Sequence, residues 1–549
     1  MITRSDPARD GGCGGLESER WPTAVLIVGL ITYLTISLSY LGVFPIVGED
    51  EPWIAAAPYK LATEGVYGSD LFTGYYGVER HNYQHMPLYP LLQAVVFAAA
   101  GTGVLQMRLL PVAFGFALLV VVFLVARQAA GPRAGLLAVV LLLVIRIADG
   151  GGPTGILLLD RARINRYDIA VPVFGLLALW MFNRAEVRRS RIGYLASGAL
   201  VGLASLNHLY GIFWLAALAT MLLIGRRSKV LLDSALSLLL AGVAITWLPW
   251  LAYIATGWSD YAGQMRFVSP RFDLLNPWFF TRNVLHGGGP LSLDWLQRSL
   301  GEMPLSRIGT WTALAGLPIA LATILYGARP ASRAENAALS VAVSFVVTTA
   351  LFFVVIYVKT YNYMIAIWPI AVLVLAIAAA RLWHAGGLTA RLLLGVLIGS
   401  TAIEAGTRLT RARQEAGRVT PYDSYTAAVA RCIPDGSLVL GLQHYWLGLR
   451  QYRYRTWLVP VNNAHAVYSH APIPFDEAIE RVDPDVLLVD RYMDRMLRAA
   501  RDPAHPYHYQ YVGFETFVAR RRASINCVIR DRSYGDMQVY VVPRSAGAP

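Results

Sequence analysis

The sequence is poor in charged residues, in lysine and in cysteine. Charged residues make up only 15% of the 549 positions, whereas 56% are hydrophobic, and the mean hydropathy is +0.46. Such a balance excludes an ordinary soluble protein of this length. Three cysteines are too few for a disulfide framework or a cysteine metal cluster. Cys432 and Cys527 share the C-terminal region, and either a disulfide or two free thiols is compatible with the sequence.

Apolar segments of membrane-spanning length recur along the chain and predict a polytopic α-helical membrane protein. About eleven crossings are expected, at 21–44, 104–126, 134–152, 169–183, 192–206, 209–225, 230–254, 309–327, 337–357, 364–380 and 390–408. The formal net charge is +13, but the arginines cluster in the short connections between these segments, as positive-inside topology requires. We therefore expect membrane lipids as partners and no nucleic acid.

The arginine-rich connections also predict the sidedness of the chain. They are mutually consistent as cytoplasmic loops only if 86–101 does not cross the membrane, and this short segment contains Pro87 and Pro90. It is therefore predicted to be an interfacial or re-entrant helix. The predicted organisation is a cytoplasmic tail at 1–20, a membrane domain at 21–410 with outer loops at 46–85 and 255–308, and an extracytoplasmic domain at 411–549.

The region after residue 410 has more charge and shorter apolar runs, which is typical of a small soluble α/β domain. Four strands are predicted, at 437–440, 457–459, 485–489 and 538–542, and two helices, at 475–482 and 492–500. No glycine-rich nucleotide fingerprint and no hydrolase nucleophile elbow occur here, so the domain is assigned no chemistry.

An acidic segment follows the first crossing. Glu49, Asp50 and Glu51 stand side by side at the predicted water–lipid boundary and are followed by Pro52 and Trp53. Acids and proline suit the first turn of a helix, and tryptophan suits the headgroup layer. Two interpretations are open: a charged cap on an ordinary loop, or a reactive pair, Asp50 and Glu51, held at the membrane face.

Further polar groups are predicted on the same outer face. They are His85, Arg108, the run from Asp160 to Asp168, and the run from Lys359 to Tyr363. Charges at membrane depth are costly and tend to be kept for function. Together they predict a cationic pocket around one or two carboxylates. Cations of this kind can neutralise a lipid phosphate as its bond to a sugar breaks, while a carboxylate accepts the proton of an incoming hydroxyl.

Each of these residues also has a structural interpretation. Arg161 and Arg163 can extend to lipid headgroups, Asp168 can pair with Arg166, and His85 can cap a helix. His208 is interpreted as structural. In the loop 255–308, the run Gly287 to Pro290 is either a flexible lid or a plain linker.

The order of these motifs resembles the GT-C glycosyltransferases, and within them the protein O-mannosyltransferase and aminoarabinose-transferase-like group. The motifs are Asp50-Glu51, His85-Met86-Pro87-Leu88, Arg108 opening a transmembrane segment, and Arg166-Tyr167-Asp168 before the next one. The segment Lys359 to Tyr363 is similar to the group's late tyrosine-rich segment. The resemblance covers about 22–410, with Met86 in place of the first proline of the usual pair.

This resemblance implies an enzyme with a polyprenyl-phosphate-linked sugar donor and an acceptor hydroxyl outside the cytoplasm. It implies inversion at the sugar carbon, with Asp50 as base. Glu51 is predicted either to support Asp50 or to orient the acceptor. Phosphate-binding roles are predicted for Arg108, His85, Arg163, Arg166 and Lys359, and substrate-orienting roles for Asp168, Tyr361, Tyr363 and His286.

The C-terminal region does not resemble the β-trefoil domain of eukaryotic relatives, so a lipid or glycan acceptor is expected rather than a protein. No cofactor is assigned. Some relatives bind a divalent metal near the first loop, and although the sequence has no convincing metal-ligand spacing, a divalent metal is left open. The expected location is a bacterial inner membrane, with a cytoplasmic N-terminus and an extracytoplasmic C-terminal domain. The alternative function is a transporter or flippase of a lipid-linked sugar, which predicts inverted repeats and midplane charges.

Overall fold

The computed structural model describes residues 14–147, 152–226, 233–271, 273–286, 308–327, 333–357 and 359–543. Within these ranges the chain forms a helical bundle followed by a small domain with one sheet. The bundle and its outer elements comprise sixteen helices: α1 Gly14–Leu38, α2 Asp50–Glu64, α3 Leu88–Ala100, α4 Val104–Ala130, α5 Pro132–Val144, α6 Leu157–Ala162, α7 Ala170–Arg188, α8 Arg191–Ser205, α9 Phe213–Arg226, α10 Ser234–Thr256, α11 Trp258–Val268, α12 Pro277–His286, α13 Ile308–Gly327, α14 Arg333–Val355, α15 Trp368–Ala385 and α16 Leu388–Ala416.

Every one of the eleven predicted crossings coincides with a helix, namely α1, α4, α5, α7 to α10 and α13 to α16. Within the described ranges, eight spans are long and apolar enough to cross a membrane: 21–38, 104–130, 167–188, 209–226, 234–256, 333–355, 368–385 and 388–416. The helices α5, α8 and α13 are shorter or less apolar over the described residues. The prediction of a polytopic helical membrane protein with a C-terminal α/β domain is confirmed, and the number of crossings stays a prediction.

The segment 86–101, which is predicted not to cross, contains the separate helix α3. Its 13 residues equal those of α5, which is counted among the predicted crossings, so the interfacial or re-entrant position of α3 stays a prediction. The helix α1 begins at Gly14, so the predicted tail at 1–20 ends in helix.

Small residues let some of the helices approach closely. A Cβ atom on Gly198 of α8 would lie 2.0 Å from the carbonyl oxygen of Leu239, and one on Gly242 of α10 would lie 2.2 Å from that of Leu195. Close contact between backbones is a usual basis of helix association in membranes, where apolar burial gives little driving force. The pair α8–α10 therefore forms a rigid support for the connection between α8 and α9.

The C-terminal domain contains five helices and five strands. The helices are α17 Tyr422–Ala430, α18 Leu458–Ala464, α19 Phe475–Val482, α20 Arg491–Ala499 and α21 His508–Arg521; the strands are β1 Leu438–Gly441, β2 Arg453–Thr456, β3 Val486–Asp490, β4 Ser524–Ile529 and β5 Met537–Val541. The sheet order is β2-β1-β3-β5-β4, with parallel pairing of β1 to β2 and β3 and antiparallel pairing of β5 to β3 and β4.

Two details of this domain differ from the prediction. The expected strand at 457–459 is wrong, because β2 ends at Thr456 and Leu458 begins α18, where Trp457 packs into the core. The strand β4 was not predicted. The structure joins Cys432 and Cys527 in a disulfide across 95 residues of sequence, which resolves the alternative left open by the sequence.

The C-terminal domain packs against the first outer loop. Ala55 and Ala56 of α2 share one buried apolar cluster with Tyr445 and Trp446, and the ring of Tyr59 lies 5.5 Å from that of Trp446. Hydrogen bonds add to this contact, from Tyr75 Oη to the Tyr468 carbonyl (3.1 Å) and from Arg455 Nη1 to the Asp70 carbonyl (2.9 Å). The domain is therefore fixed directly above α2.

Candidate functional site

The candidate site lies where alternate connections of the bundle meet. The residues that follow α1, α5, α8 and α14 are in mutual contact, as the hydrogen bonds and ring contacts below show. Successive crossings reverse direction, so connections after every second crossing emerge at the same end. This end is the one predicted to be extracytoplasmic, and it is called the outer end below.

Glu51 and Arg108 form a buried bidentate ion pair. Arg108 donates from Nε and Nη2 to the two carboxylate oxygens of Glu51, both at 2.8 Å, and from Nη1 to the Leu41 carbonyl at 2.9 Å. Glu51 also accepts from the backbone N–H groups of Asn165 and Gly48, each at 2.9 Å. The side chains are only 2% and 0% exposed. The pair thus ties the start of α2 to α4 and to the end of α1.

This arrangement does not fit the phosphate-binding role predicted for Arg108. A fully buried guanidinium with three hydrogen bonds to the protein reaches a substrate only if the ion pair opens. The carboxylate of Glu51 is also buried and fully hydrogen-bonded within the protein. This fits a role in supporting Asp50 and does not fit direct contact with a substrate. Both residues anchor the neighbouring Asp50.

Asp50 is the accessible end of a chain of polar contacts. Its side chain is 41% exposed and forms an ion pair with Nη1 of Arg166. Arg166 Nε donates to Asp168 Oδ2 at 2.7 Å, and the Tyr210 hydroxyl donates to Asp168 Oδ1 at 2.9 Å. Burial alone would lower the pKa of Arg166, but Asp168 and Asp50 raise it above the usual value. A permanent cation therefore lies between two carboxylates at the outer end.

Aromatic rings surround this cation. The guanidinium of Arg166 lies 5.8 Å from the ring centres of both Tyr167 and Tyr363. His208 stacks on Tyr210 at 3.9 Å and contacts Tyr363 at 5.3 Å. A wall of this kind keeps water from the cation, so its charge acts more strongly on a bound group. Tyr363 and Asp168 are thus at the site, as predicted, while their orienting role stays a prediction.

His85 and His208 lie on either side of Tyr167, with ring distances of 5.7 and 5.4 Å. Burial, followed by the charges of Arg166 and Arg271, lowers the pKa of His85 to about 3. Burial also lowers the pKa of His208 to about 4. Both rings are neutral at physiological pH. A neutral imidazole still donates a hydrogen bond, so the phosphate-binding role of His85 stays a prediction.

Two other predicted phosphate-binding residues contact backbone carbonyls instead. Arg163 donates to the carbonyls of Ser39 (2.6 Å) and Phe44 (3.1 Å), beyond the end of α1. Lys359 donates to the Asn283 carbonyl at 2.7 Å and is 1% exposed. Burial lowers the pKa of Arg163 to about 10 and that of Lys359 to about 8. The structure does not present either group at the exposed carboxylate of Asp50.

Tyr361 lies beside the site rather than in it. Its ring lies 5.2 Å from the guanidinium of Arg161, and its hydroxyl is 3.4 Å from the Gly155 carbonyl. His286 is the last residue of α12; its side chain and the predicted lid at 287–290 lie outside the described residues.

The sequence analysis interprets His208 as structural and does not identify Arg271. His208 belongs to a connection that the topology places at the outer end, where its ring contacts those of Tyr167 and Tyr363, so its position was accessible to that argument. Arg271 is exposed in the outer loop, and its charge acts on His85, His208 and Tyr363. No motif marks Arg271, and only the fold of the loop brings it here.

The described part of the chain offers no arrangement that fits a metal. No group of three or more histidine, cysteine, aspartate or glutamate side chains converges as ligands within it.

Comparisons with known proteins agree with this architecture. The family model described as dolichyl-phosphate-mannose-protein mannosyltransferase matches residues 84–253. The chain is similar to the crystal structure of ArnT from Cupriavidus metallidurans bound to undecaprenyl phosphate, with a TM-score of 0.62 and 16% identity over 96% of this chain and 100% of that one.

It is also similar to the apo oligosaccharyltransferase of Archaeoglobus fulgidus, with a TM-score of 0.56 and 13% identity over 88% of this chain and 71% of that one. The oligosaccharyltransferase AglB of the same organism, in complex with an inhibitory peptide and a dolichol-phosphate, gives a TM-score of 0.54 and 13% identity over 95% and 74% of the two chains. A comparison with curated proteins found no match. The predicted resemblance to GT-C glycosyltransferases is confirmed, and the chain has their fold.

Proposed function

We propose that this protein is an integral membrane glycosyltransferase that moves a sugar from a polyprenyl-phosphate-linked donor to an acceptor hydroxyl at the outer end of the bundle. The observation that carries the proposal is the exposed Asp50 carboxylate next to the buried cation Arg166, at the end of the bundle where alternate connections meet. A base beside a cation is what displacement of a lipid phosphate by a hydroxyl requires.

In this mechanism Asp50 accepts the proton of the acceptor hydroxyl, while the oxygen of that hydroxyl attacks the anomeric carbon of the donor sugar. The bond from that carbon to the phosphate breaks with its electron pair, and polyprenyl phosphate leaves on the opposite side, so the configuration inverts. Arg166 and the exposed Arg271 compensate the charge of the phosphate. His85 and His208 face this region as neutral hydrogen-bonding groups. Asp168 holds Arg166 in place.

Two observations support this assignment. The solved relatives of the same fold are described as bound to undecaprenyl phosphate or a dolichol-phosphate, which favours a polyprenyl donor. The charged groups of the candidate site lie together at one end of the bundle, which favours transfer over the transporter or flippase alternative. The acceptor is proposed to be a lipid or glycan.

We further propose that the outer end is extracytoplasmic, in a bacterial inner membrane, with the N-terminus in the cytoplasm. The disulfide between Cys432 and Cys527 supports this orientation, because disulfides persist in oxidising compartments. The division at 20 and 410 is retained as a proposal. The helix α16 continues to Ala416 and α17 begins at Tyr422, so 417–421 is the structural connection.

The test uses purified protein in lipid with a panel of radiolabelled polyprenyl-phosphate sugars and a cell-envelope extract as the source of acceptor. Label transferred to the extract or released to water is measured for wild type and for Asp50→Asn. Loss of about a hundredfold or more is expected, as for removal of a general base. The matched control is Asp70→Asn, which alters an exposed ion-paired aspartate of the same outer loop and should leave turnover unchanged.

Equal turnover of wild type and Asp50→Asn would remove Asp50 as the base and direct attention to Asp168. Absence of turnover with every donor, while labelled lipid still crosses the bilayer, would favour the flippase.

A further inference from the structure

The C-terminal domain contacts the acidic segment itself, and not only the outside of α2. Gln443 Nε2 donates to Glu49 Oε1 at 2.8 Å. Its own amide oxygen accepts from the Thr456 hydroxyl at 2.8 Å, so the orientation of the side chain is fixed from β2. The residue directly before Asp50 is thus held by the C-terminal domain.

His444 directly follows Gln443 in the chain and places an imidazole beside the contact between Gln443 and Glu49. Its backbone carbonyl accepts from the Tyr422 hydroxyl at 2.7 Å, and its ring lies nearly parallel to that of Tyr445 at 5.6 Å. Burial lowers the pKa of His444, while the charges of Asp490, Asp50 and Glu51 oppose that shift. The ring therefore lies within electrostatic range of the proposed base.

The hydrogen bonding of this ring is incomplete. Nδ1 of His444 is buried and has no hydrogen-bond partner among the described residues, although the side chain as a whole is only half-buried. Buried polar atoms are nearly always paired, and an exception next to a reactive group calls for an explanation. A partner that arrives with the substrate is such an explanation.

Two sets of groups adjoin the acidic segment. Arg166, which is paired with Asp50, and the aromatic wall around it suit the donor phosphate. The segment Gln443-His444, which meets the acidic segment through the hydrogen bond from Gln443 to Glu49, offers hydrogen-bonding side chains. An acceptor hydroxyl can be oriented by such a side chain without adding charge at the reacting oxygen.

We propose that His444 is a positioning residue that orients the acceptor hydroxyl toward Asp50, so that the C-terminal domain forms the acceptor side of the site. This inference rests on the proposed function. His444 forms a hydrogen bond with the acceptor and takes no proton: the proton goes to Asp50, and the leaving electron pair goes to the phosphate.

The experiment compares His444→Phe, which keeps a flat ring without hydrogen bonding, with His444→Asn, which keeps a hydrogen-bonding group near the position of Nδ1. The donor is the radiolabelled polyprenyl-phosphate sugar used by wild type, and the cell-envelope extract is titrated as acceptor. The readout is the ratio of label transferred to the extract to label released to water. This ratio does not depend on how much of each preparation is folded.

His444→Phe should lower this ratio about tenfold or more, as expected for loss of one hydrogen bond to a reacting group, and should raise the extract concentration needed for half-maximal transfer. His444→Asn should restore part of both. The control His505→Phe changes a histidine in the loop before α21 and should behave as wild type.

A ratio that stays at the wild-type value in His444→Phe, even if both rates fall together, would overturn the inference and leave the proposed function intact. A wild-type protein that neither transfers nor hydrolyses any donor would instead refute the proposed function, and this inference with it.

Discussion

The buried pair of Glu51 and Arg108 allows a quantitative test of how the acidic segment is held. Replacing Glu51 by leucine leaves the guanidinium of Arg108 buried without a counter-charge and removes two hydrogen bonds of 2.8 Å. Removal of one partner of a buried pair costs about 3–5 kcal/mol. Arg108→Met should cost a similar amount, because it leaves the carboxylate of Glu51 with only backbone donors.

The double variant provides the decisive number. With both charges gone, apolar side chains fill the same space and no uncompensated charge remains. We therefore expect the double variant to lose less free energy of unfolding than either single variant, and far less than the sum of the two. Unfolding is followed in mixed micelles of mild detergent and dodecyl sulfate, with the free energy extrapolated to zero dodecyl sulfate.

The control pair is Lys60 and Asp70 in the same outer loop, at 2.6 Å but with Asp70 51% exposed. Exposed pairs contribute about 1 kcal/mol or less, so Lys60→Met should be nearly neutral. Additive costs in the Glu51→Leu/Arg108→Met double variant, or wild-type stability of either single variant, would refute the description of this pair as a buried anchor.

Two further predictions concern acid stability and the disulfide. The folded-state pKa of His85, about 3, lies below the ordinary value of 6.5, so the unfolded chain binds a proton that the native state excludes as the pH falls from 6.5 towards 3. The free energy of unfolding should therefore fall as the pH is lowered through this window, and it should fall less steeply in His85→Gln. Urea titrations at several pH values measure this, and equal pH profiles for wild type and His85→Gln would contradict a buried neutral ring. Cys432→Ser should destabilise the C-terminal domain by about 4–5 kcal/mol, as expected for a loop of 95 residues. Thermal unfolding with and without reductant measures this, and the variant should no longer respond to reductant.

The fold was predictable from the sequence because its signals are local and strong. Membrane helices are marked by length and apolarity, which need no tertiary information, and positive-inside charges yield a sidedness that stays a prediction. The exclusion of 86–101 as a crossing rests on parity, on its short length and on its two prolines. A separate helix is found there, and its position in the membrane stays a prediction. In the C-terminal domain β2 was misplaced, because the aromatic and branched run at Trp457 satisfied strand propensity while tertiary packing made it the start of a helix.

The sequence predicted which residues meet at the site better than it predicted what each of them contacts there. Asp50, Arg166 and Asp168 come together as the topology requires. The sequence could not show that Arg108 forms a buried ion pair with Glu51, or that Arg163 and Lys359 donate to backbone carbonyls. The partner of a buried cation depends on which acceptor is nearest in space, and the sequence does not contain that information. Arg271 and His444 had no motif at all, since each is brought to the site by the folding of its own loop.

The contact between Glu49 and Gln443 joins residues 394 positions apart in the chain, which has a consequence for biogenesis. At about 5–20 residues per second, the second partner leaves the ribosome roughly 20 to 80 s after the first. During that interval the acidic segment has been made but lacks its contact with the C-terminal domain. If that domain forms the acceptor side of the site, as proposed, a nascent or truncated chain has no means of directing the sugar to its acceptor. Completion of the last domain then decides when transfer can begin.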